Sequence, residues 1–176
     1  MTLKRPLPHE SPAERQVLRR AFVLAGILLL LDQISKFLVA GNISVGQKIT
    51  IIPNFFNLTY ITNPGAAWGI LAGKGWLLLL ISILVLFSII FFLRSLTEGW
   101  NERYYGLCMV MSGIVGNMID RIWRGEVVDF IQWYAGSYYW PSFNVADSAI
   151  TVGVAIFIIS SLLRPQDDKC RGKIHS

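Results

Sequence analysis

The chain has 176 residues, 53% of them apolar and only 15% charged, with a mean hydropathy of +0.50. That balance excludes an ordinary soluble domain and describes one polytopic membrane domain. A net charge of +5 would suit an anionic partner, but the basic residues are sorted along the chain rather than gathered on one element, so no nucleic-acid partner is expected.

Residues 1–20 carry Pro6, Pro8, Pro12 and five basic residues and read as a disordered cytoplasmic tail. The apolar run 21–40 follows. A cleaved signal peptide would also place a basic region before Leu28-Leu29-Leu30-Leu31. The run is 20 residues long, however, which matches the ~20 needed to cross a bilayer, and Asp32 interrupts it. It is read as an uncleaved first span. Asp32 and Lys36, four apart, meet on one helical face in the favourable acid-before-base order. A serine/lysine protease built on Ser35-Lys36 is disfavoured, because adjacent helical residues point about 100° apart.

From about 42 to 70 the pattern changes to short β-branched and aromatic runs, Ile49-Thr50-Ile51-Ile52 and Phe55 to Ile61, broken by Pro53-Asn54. Neither spans a membrane, and an open sheet edge is not tolerated in hydrocarbon, so a small extracytoplasmic hairpin is expected. Asn63-Pro64-Gly65-Ala66-Ala67-Trp68-Gly69 then supplies a turn, either purely structural or in contact with substrate.

The second span, about 76–93, contains no charge and should be the most lipid-exposed helix. Residues 94–103 read as a polar cytoplasmic loop. The third span, about 104–122, is the least apolar. Gly106, Ser112, Gly113 and Gly116 give it small-residue faces for close packing in the middle of the bundle. Its outer end sets Asn117, Asp120 and Arg121 on one face. An outer loop, about 123–142, is rich in Trp and Tyr, as in an aromatic belt at the headgroup level or a lid over a lipid-facing site. The fourth span, about 145–163, precedes a basic tail, 164–176.

With four spans, Lys4, Arg5, Arg15, Arg19, Arg20, Arg94, Arg103, Arg164, Lys169, Arg171 and Lys173, eleven of the sixteen basic residues, fall on one side. The positive-inside rule makes that side, with both termini, cytoplasmic.

Cys108 lies within a span and Cys170 in the cytoplasmic tail, so no disulfide framework is expected. The only histidines, His9 and His175, lie in the tails, which argues against a His/Cys metal site and a Ser-His-Asp triad. Carboxylate, lysine and tyrosine remain for acid–base work, with no metal or other cofactor expected.

The chemistry is expected between Gly116 and Asp147, where Asp120, Asp129 and Asp147 crowd together with Asn117 and Asn144. Ionisable groups beside a span are costly and mark functional sites. Asp147 lies three residues after Asn144, as the acid of a capping box at the start of the fourth helix. Asp129, within Val127-Val128-Asp129-Phe130-Ile131, has no adjacent counter-ion and needs a partner or a raised pKa. Two readings stay open on spacing: a structural polar cluster, or an Asp129/Asp147 pair sharing a proton so that one acts as base and the other as acid. A transporter using Asp32, Asp120, Asp129 and Asp147 as a cation path is the rival from another class. It is disfavoured because these acids gather toward one side.

At these residues the sequence resembles the lipoprotein signal peptidase family, signal peptidase II. The resemblance is carried by Asp32-Gln33-x-x-Lys36, Asn63-Pro64-Gly65-Ala66-Ala67-Trp68, Gly116-Asn117-x-x-Asp120-Arg121, Gly125-x-Val127-Val128-Asp129-Phe130-Ile131 and Phe143-Asn144-x-Ala146-Asp147-Ser148, in family order over residues 20–163. Pro64 and Trp68 depart mildly from the family pattern.

The resemblance implies an all-α membrane protein, a four-transmembrane-helix bundle with a small extracytoplasmic antiparallel β-cradle, acting as an intramembrane aspartyl endopeptidase in the bacterial cytoplasmic (inner) membrane. It implies Asp129 and Asp147 as the catalytic dyad, Asn63, Asn117, Arg121 and Asn144 as substrate-binding or orienting residues, and Asp32, Lys36 and Asp120 as supporting ones. The implied substrate is a diacylglyceryl-modified prolipoprotein, cut on the amino side of the lipidated lipobox cysteine by a monomer embedded in membrane lipid. A cyclic lipopeptide inhibitor of the globomycin type is expected to block it.

Overall fold

The structure, a computed structural model, describes residues 12–66 and 70–164. Its elements in chain order are α1 (Pro12–Asn42), β1 (Lys48–Ile52), β2 (Phe56–Asn63), α2 (Gly75–Thr97), α3 (Asn101–Arg124), β3 (Val127–Ala135), β4 (Tyr138–Tyr139) and α4 (Val145–Leu163). Three of these helices, α1, α2 and α4, are long and apolar enough to cross a membrane. The third, α3, is long enough but carries Glu102, Arg103, Asp120, Arg121 and Arg124.

The helices run further than the hydrophobic runs suggest. α1 begins at Pro12, so residues 12–20, expected as disordered tail, are helical; residues 1–11 of that expectation lie outside the described part. The extra turns are held because Val17 and Leu18 pack on the core cluster around Ala21, Tyr104 and Leu107, while the Tyr104 hydroxyl donates to Glu14 at 2.6 Å. Proline at the first helical position also fits, since it lacks only an N–H that would go unused there. The expected loop 94–103 shortens to Glu98–Trp100, because α2 continues to Thr97 and α3 starts at Asn101.

α3 is the central helix. It packs against α1, α2 and α4, whereas α2 packs chiefly on α3 and presents Phe87, Phe91 and Trp76 outward. The small residues expected on α3 do this work. A Cβ at Gly113 would collide with the Ala146 carbonyl of α4, and one at Gly116 would stand 2.6 Å from Asp32 Oδ2 of α1. Ser112 Oγ donates to the Ala25 carbonyl of α1 at 2.8 Å. Backbones at such close approach bury side chains that a larger residue would push apart.

The hairpin expected near 49–61 is present as β1 and β2, with Ile49 opposite Leu58 and Thr50 opposite Asn57. It is half of a larger antiparallel sheet in the order β1-β2-β3-β4. The segment after α3, expected as an aromatic loop, contains β3, which pairs with β2 so that Phe56 faces Trp133 and Ile61 faces Asp129. The β-branched and aromatic content of Val127 to Tyr134 suits a strand. Gly125, with φ of 81°, ends α3 in the left-handed conformation and turns the chain into it; a Cβ there would be strained. β3 then carries Asp129 on a strand rather than on a helix end.

Candidate active site

The site is built where four segments meet: α1, the end of β2 with β3, the C-terminal end of α3, and the start of α4. α4 opens with a full capping box. The Asn144 side chain accepts from the Asp147 N–H at 2.9 Å, and the Asp147 carboxylate accepts from the Asn144 N–H at 3.2 Å. The next free amide of that turn, Ala146 N–H, donates to Asp32 Oδ1 of α1 at 2.8 Å. A carboxylate on first-turn amides is favoured by the helix dipole, so Asp32 anchors the N-terminus of α4 as well as its own helix.

After β4 the chain returns beside β3, with Phe143 N–H donating to the Ile131 carbonyl at 3.0 Å and the Phe143 carbonyl accepting from Ile131 N–H at 2.8 Å. This return brings Asn144 against Asp129, whose Oδ1 accepts from Asn144 Nδ2 at 2.8 Å. Its other oxygen, Oδ2, accepts from Asn63 Nδ2 at 3.0 Å. Asn63 stands diagonally across the β2–β3 ladder from Asp129, within reach of a longer side chain. Asp147 Oδ1 accepts from Asn117 Nδ2 at 2.8 Å. Asp129 and Asp147 thus share Asn144, and each of their four oxygens accepts one hydrogen bond.

Both carboxylates line one cavity of about 790 Å³, together with Asn63, Asn117 and Arg121. Its apolar side is supplied by Trp133, Trp140 and Phe143 from the sheet region and by Ile150 and Val152 of α4. Arg121 reaches over to the loop after β2, donating to the Gly65 carbonyl at 3.0 Å. Gly65 N–H in turn donates to Asn63 Oδ1 at 2.9 Å, which leaves the Asn63 NH2 to face Asp129.

Beneath the cavity lies a second, fully buried layer. The Lys36 ammonium pairs with Asp32 Oδ2 at 2.8 Å and Asp120 Oδ2 at 3.0 Å and donates to Asn117 Oδ1 at 3.0 Å. Asp120 Oδ2 also accepts from Val128 N–H of β3 at 3.2 Å, tying strand to helix. Its other oxygen has no hydrogen-bond partner among the described residues; the Arg124 guanidinium approaches it at 3.4 Å as a charge neighbour.

Asp32, Asp120, Asp129 and Asp147 thus stand against Lys36, Arg121 and Arg124, so one bound proton neutralises the group. Burial, joined by the charge of Asp147, pushes the Asp129 carboxyl up to about 7. The bonds from Asn63 and Asn144 offset that only in part.

Every residue expected at the site from sequence is gathered here. Asp32 and Lys36 do form the expected pair, and at 1% and 0% exposure it is fully buried among the helices. Ser35 Oγ is occupied by the Asp32 carbonyl at 2.9 Å. Of the aromatic segment, Trp133 and Trp140 line the cavity, whereas Tyr134 and Tyr139 stack on each other at 5.3 Å outside it. Trp68 lies outside the described residues. Sequence reading missed the Lys36 to Asn117 link, the Gly65 carbonyl, the place of Phe143 in the cavity wall and Thr151, which lines the cavity and donates to the Asp147 backbone carbonyl at 2.8 Å. The signal Thr151 left is its spacing, four residues after Asp147 on the same helical face. Among the described residues no three His, Cys, Asp or Glu side chains gather as a metal site.

Residues 24–163 match the family model described as signal peptidase (SPase) II. The lipoprotein signal peptidase of Syntrophus aciditrophicus (strain SB) is 40% identical over 152 residues, covering 84% of this chain and 94% of that protein. That of Geobacillus thermodenitrificans (strain NG80-2) is 43% identical over 138 residues, covering 78% and 86%. Two solved structures of bacterial membrane enzymes superimpose with TM-scores of 0.78 and 0.75, at 33% and 35% identity, over 89% and 84% of this chain and 94% of each of theirs. Family model, relatives and fold agree: the chain belongs to the signal peptidase II family and is a peptidase of the aspartic type.

Proposed function

We propose that the protein is an intramembrane aspartyl endopeptidase that removes the signal peptide from diacylglyceryl-modified prolipoproteins, cutting on the amino side of the lipidated lipobox cysteine. Asp129 and Asp147 are its catalytic dyad. The observation that carries this reading is the shared cavity in which both carboxylates accept from Asn144 while every remaining carboxylate oxygen already has a donor. With no acceptor among those four contacts, a proton held by the pair is directed to its partner carboxylate or into the cavity. One ionised aspartate takes a proton from a bound water as it attacks the scissile carbonyl, and the protonated one donates to the developing oxyanion.

In this reading all four helices cross the bacterial cytoplasmic membrane. α3 does so behind its neighbours, its Arg103 and Asp120 at 3% and 1% exposure and so shielded from lipid. Both chain ends face the cytoplasm, and the site opens near the outer face. The acyl chains rest in lipid beside the apolar side of the cavity, and their binding, remote from the bond, holds the carbonyl in place. Globomycin-type lipopeptides compete for the same cavity, and the monomer suffices.

The test is incubation of purified protein with a diacylated and a non-acylated lipobox peptide, alongside Asp129→Asn and Asp147→Asn. Cleavage of the acylated peptide alone is expected, with a loss of roughly 10⁴-fold in either variant. Near-normal cleavage by either variant overturns the dyad, and equal cleavage of both peptides overturns the lipidated substrate.

A further inference from the structure

The least exposed charge among the described residues is not one of the two aspartates of the cavity. Lys36, at 0% exposure, has its three N–H bonds taken by Asp32 at 2.8 Å, Asp120 at 3.0 Å and the Asn117 side-chain oxygen at 3.0 Å. An ammonium offers three donors and no acceptor. It therefore dictates which end of the Asn117 amide faces it: the oxygen turns to Lys36 and the NH2 to Asp147 Oδ1, 2.8 Å away. A reversed amide would set NH2 against ammonium and oxygen against carboxylate. Asn144 Nδ2, 3.2 Å from Asn117 Oδ1, enforces the same orientation.

The consequences for the two carboxylates differ. Asp147 accepts from an amide polarised by a buried cation and from the Asn144 backbone N–H at a helix N-terminus, where negative charge is favoured. Among the described residues, Asp129 accepts only from the neutral amides of Asn63 and Asn144. Asp32 and Asp120 hold the ammonium; its charge is felt across space by both carboxylates, and its hydrogen-bonded link to Asp147 runs through the Asn117 amide. The charged groups facing this amide and the dyad are Asp32 and Lys36 from α1, Asp120 and Arg121 from α3, and the two aspartates themselves from β3 and α4.

Resting on the reading of Asp129 and Asp147 as the dyad, we propose that Lys36 is a positioning residue for the reaction: through Asn117 it keeps a donor on Asp147 and makes Asp147 the carboxylate that is ionised when substrate arrives. Asp147 then takes the water proton while the water oxygen bonds to the carbonyl carbon. The carbonyl electron pair moves to its oxygen, which receives the proton of Asp129. In collapse the C–N bond breaks as Asp147 returns its proton to the amine nitrogen. One hydroxyl of the gem-diol gives its proton back to Asp129, and the dyad is restored.

The test uses full-length protein and a diacylated lipobox peptide, measuring kcat, KM and the pH profile of kcat for Lys36→Met and for Lys36→Met/Asp120→Asn. The double variant keeps the net charge of the buried layer and an oxygen facing Val128 N–H, so it guards against a simple folding failure. In both variants kcat is expected to fall tenfold or more with KM within about twofold, and the half-maximal point on the acid side of the profile to rise by about one pH unit. Wild-type kcat and profile in the double variant would overturn the proposal, and so would a fall in kcat with an unmoved acid limb, which marks a merely structural role. Asp147→Asn, run in parallel, separates the two claims: if it is inactive the dyad stands whatever Lys36 does, and if it cleaves normally the dyad itself is lost.

Discussion

Asp129 is 2% exposed on β3, and its carboxyl is held near 7 rather than at the ordinary 3.8 by burial and by Asp147. Because the folded protein then binds more protons than the unfolded chain between those values, folding stability falls as pH rises from about 4 to about 7, and the whole penalty is present above that. Asp129→Asn removes this titration. The difference in midpoint temperature, variant minus parent, is expected to grow in the variant's favour between pH 4 and pH 8 in detergent; a pH-independent difference would mean that Asp129 keeps an ordinary pKa. In the proposed mechanism the same proton serves the chemistry. Cleavage by the parent should decline above about pH 7 as the acid partner ionises, so a rate that keeps rising to pH 9 would argue against Asp129 as the donor.

The start of α4 does two jobs with one side chain. Asn144 caps the helix through its oxygen, bonded to Asp147 N–H, and bridges to Asp129 through its NH2. Serine caps a helix about as well as asparagine, but it has no second arm to reach Asp129. Asn144→Ser is therefore expected to unfold within about 1 kcal/mol of the parent while losing cleavage by roughly 10²-fold or more. Equal loss of stability and activity would reduce Asn144 to a cap. The close packing that sets α4 against α3 at Gly113 and Gly106 is what holds this turn over the end of α3.

Among the described residues, the charged side chains of the bundle are confined to its two ends. At the end opposite the cavity, Arg103 is buried between Glu98 at 2.5 Å, Ser160 Oγ at 3.1 Å and the Arg164 carbonyl at 3.0 Å, and Arg164 pairs with Glu102 at 2.8 Å. Between the ends lies the apolar cluster of Leu107, Cys108, Val110 and Met111. That layering opposes a cation path and sets the orientation to be tested. With Cys108 and Cys170 replaced, a cysteine at Trp123 is expected to react with an impermeant maleimide in intact spheroplasts, and one at Asn101 only after permeabilisation. The reverse pattern would invert the topology.

Much of this was readable from residue order. Apolar runs of bilayer length, the shift to β-branched residues near Ile49 and the Asn144/Asp147 spacing are local patterns whose physics acts within a few residues of the chain, and they located the helices, the hairpin and the capping box. The strand character of Val127 to Ala135, the helical turns at 12–20 and the burial of Lys36 between Asp32, Asp120 and Asn117 were not readable in that way. Each depends on a partner far along the chain: β2 for the strand, Tyr104 for the first turns, and α3 for the lysine. Side-chain periodicity reports which face of an element is apolar, but not which distant element meets it. A buried ammonium 81 positions from the amide it orients exists only once the helices have closed around it.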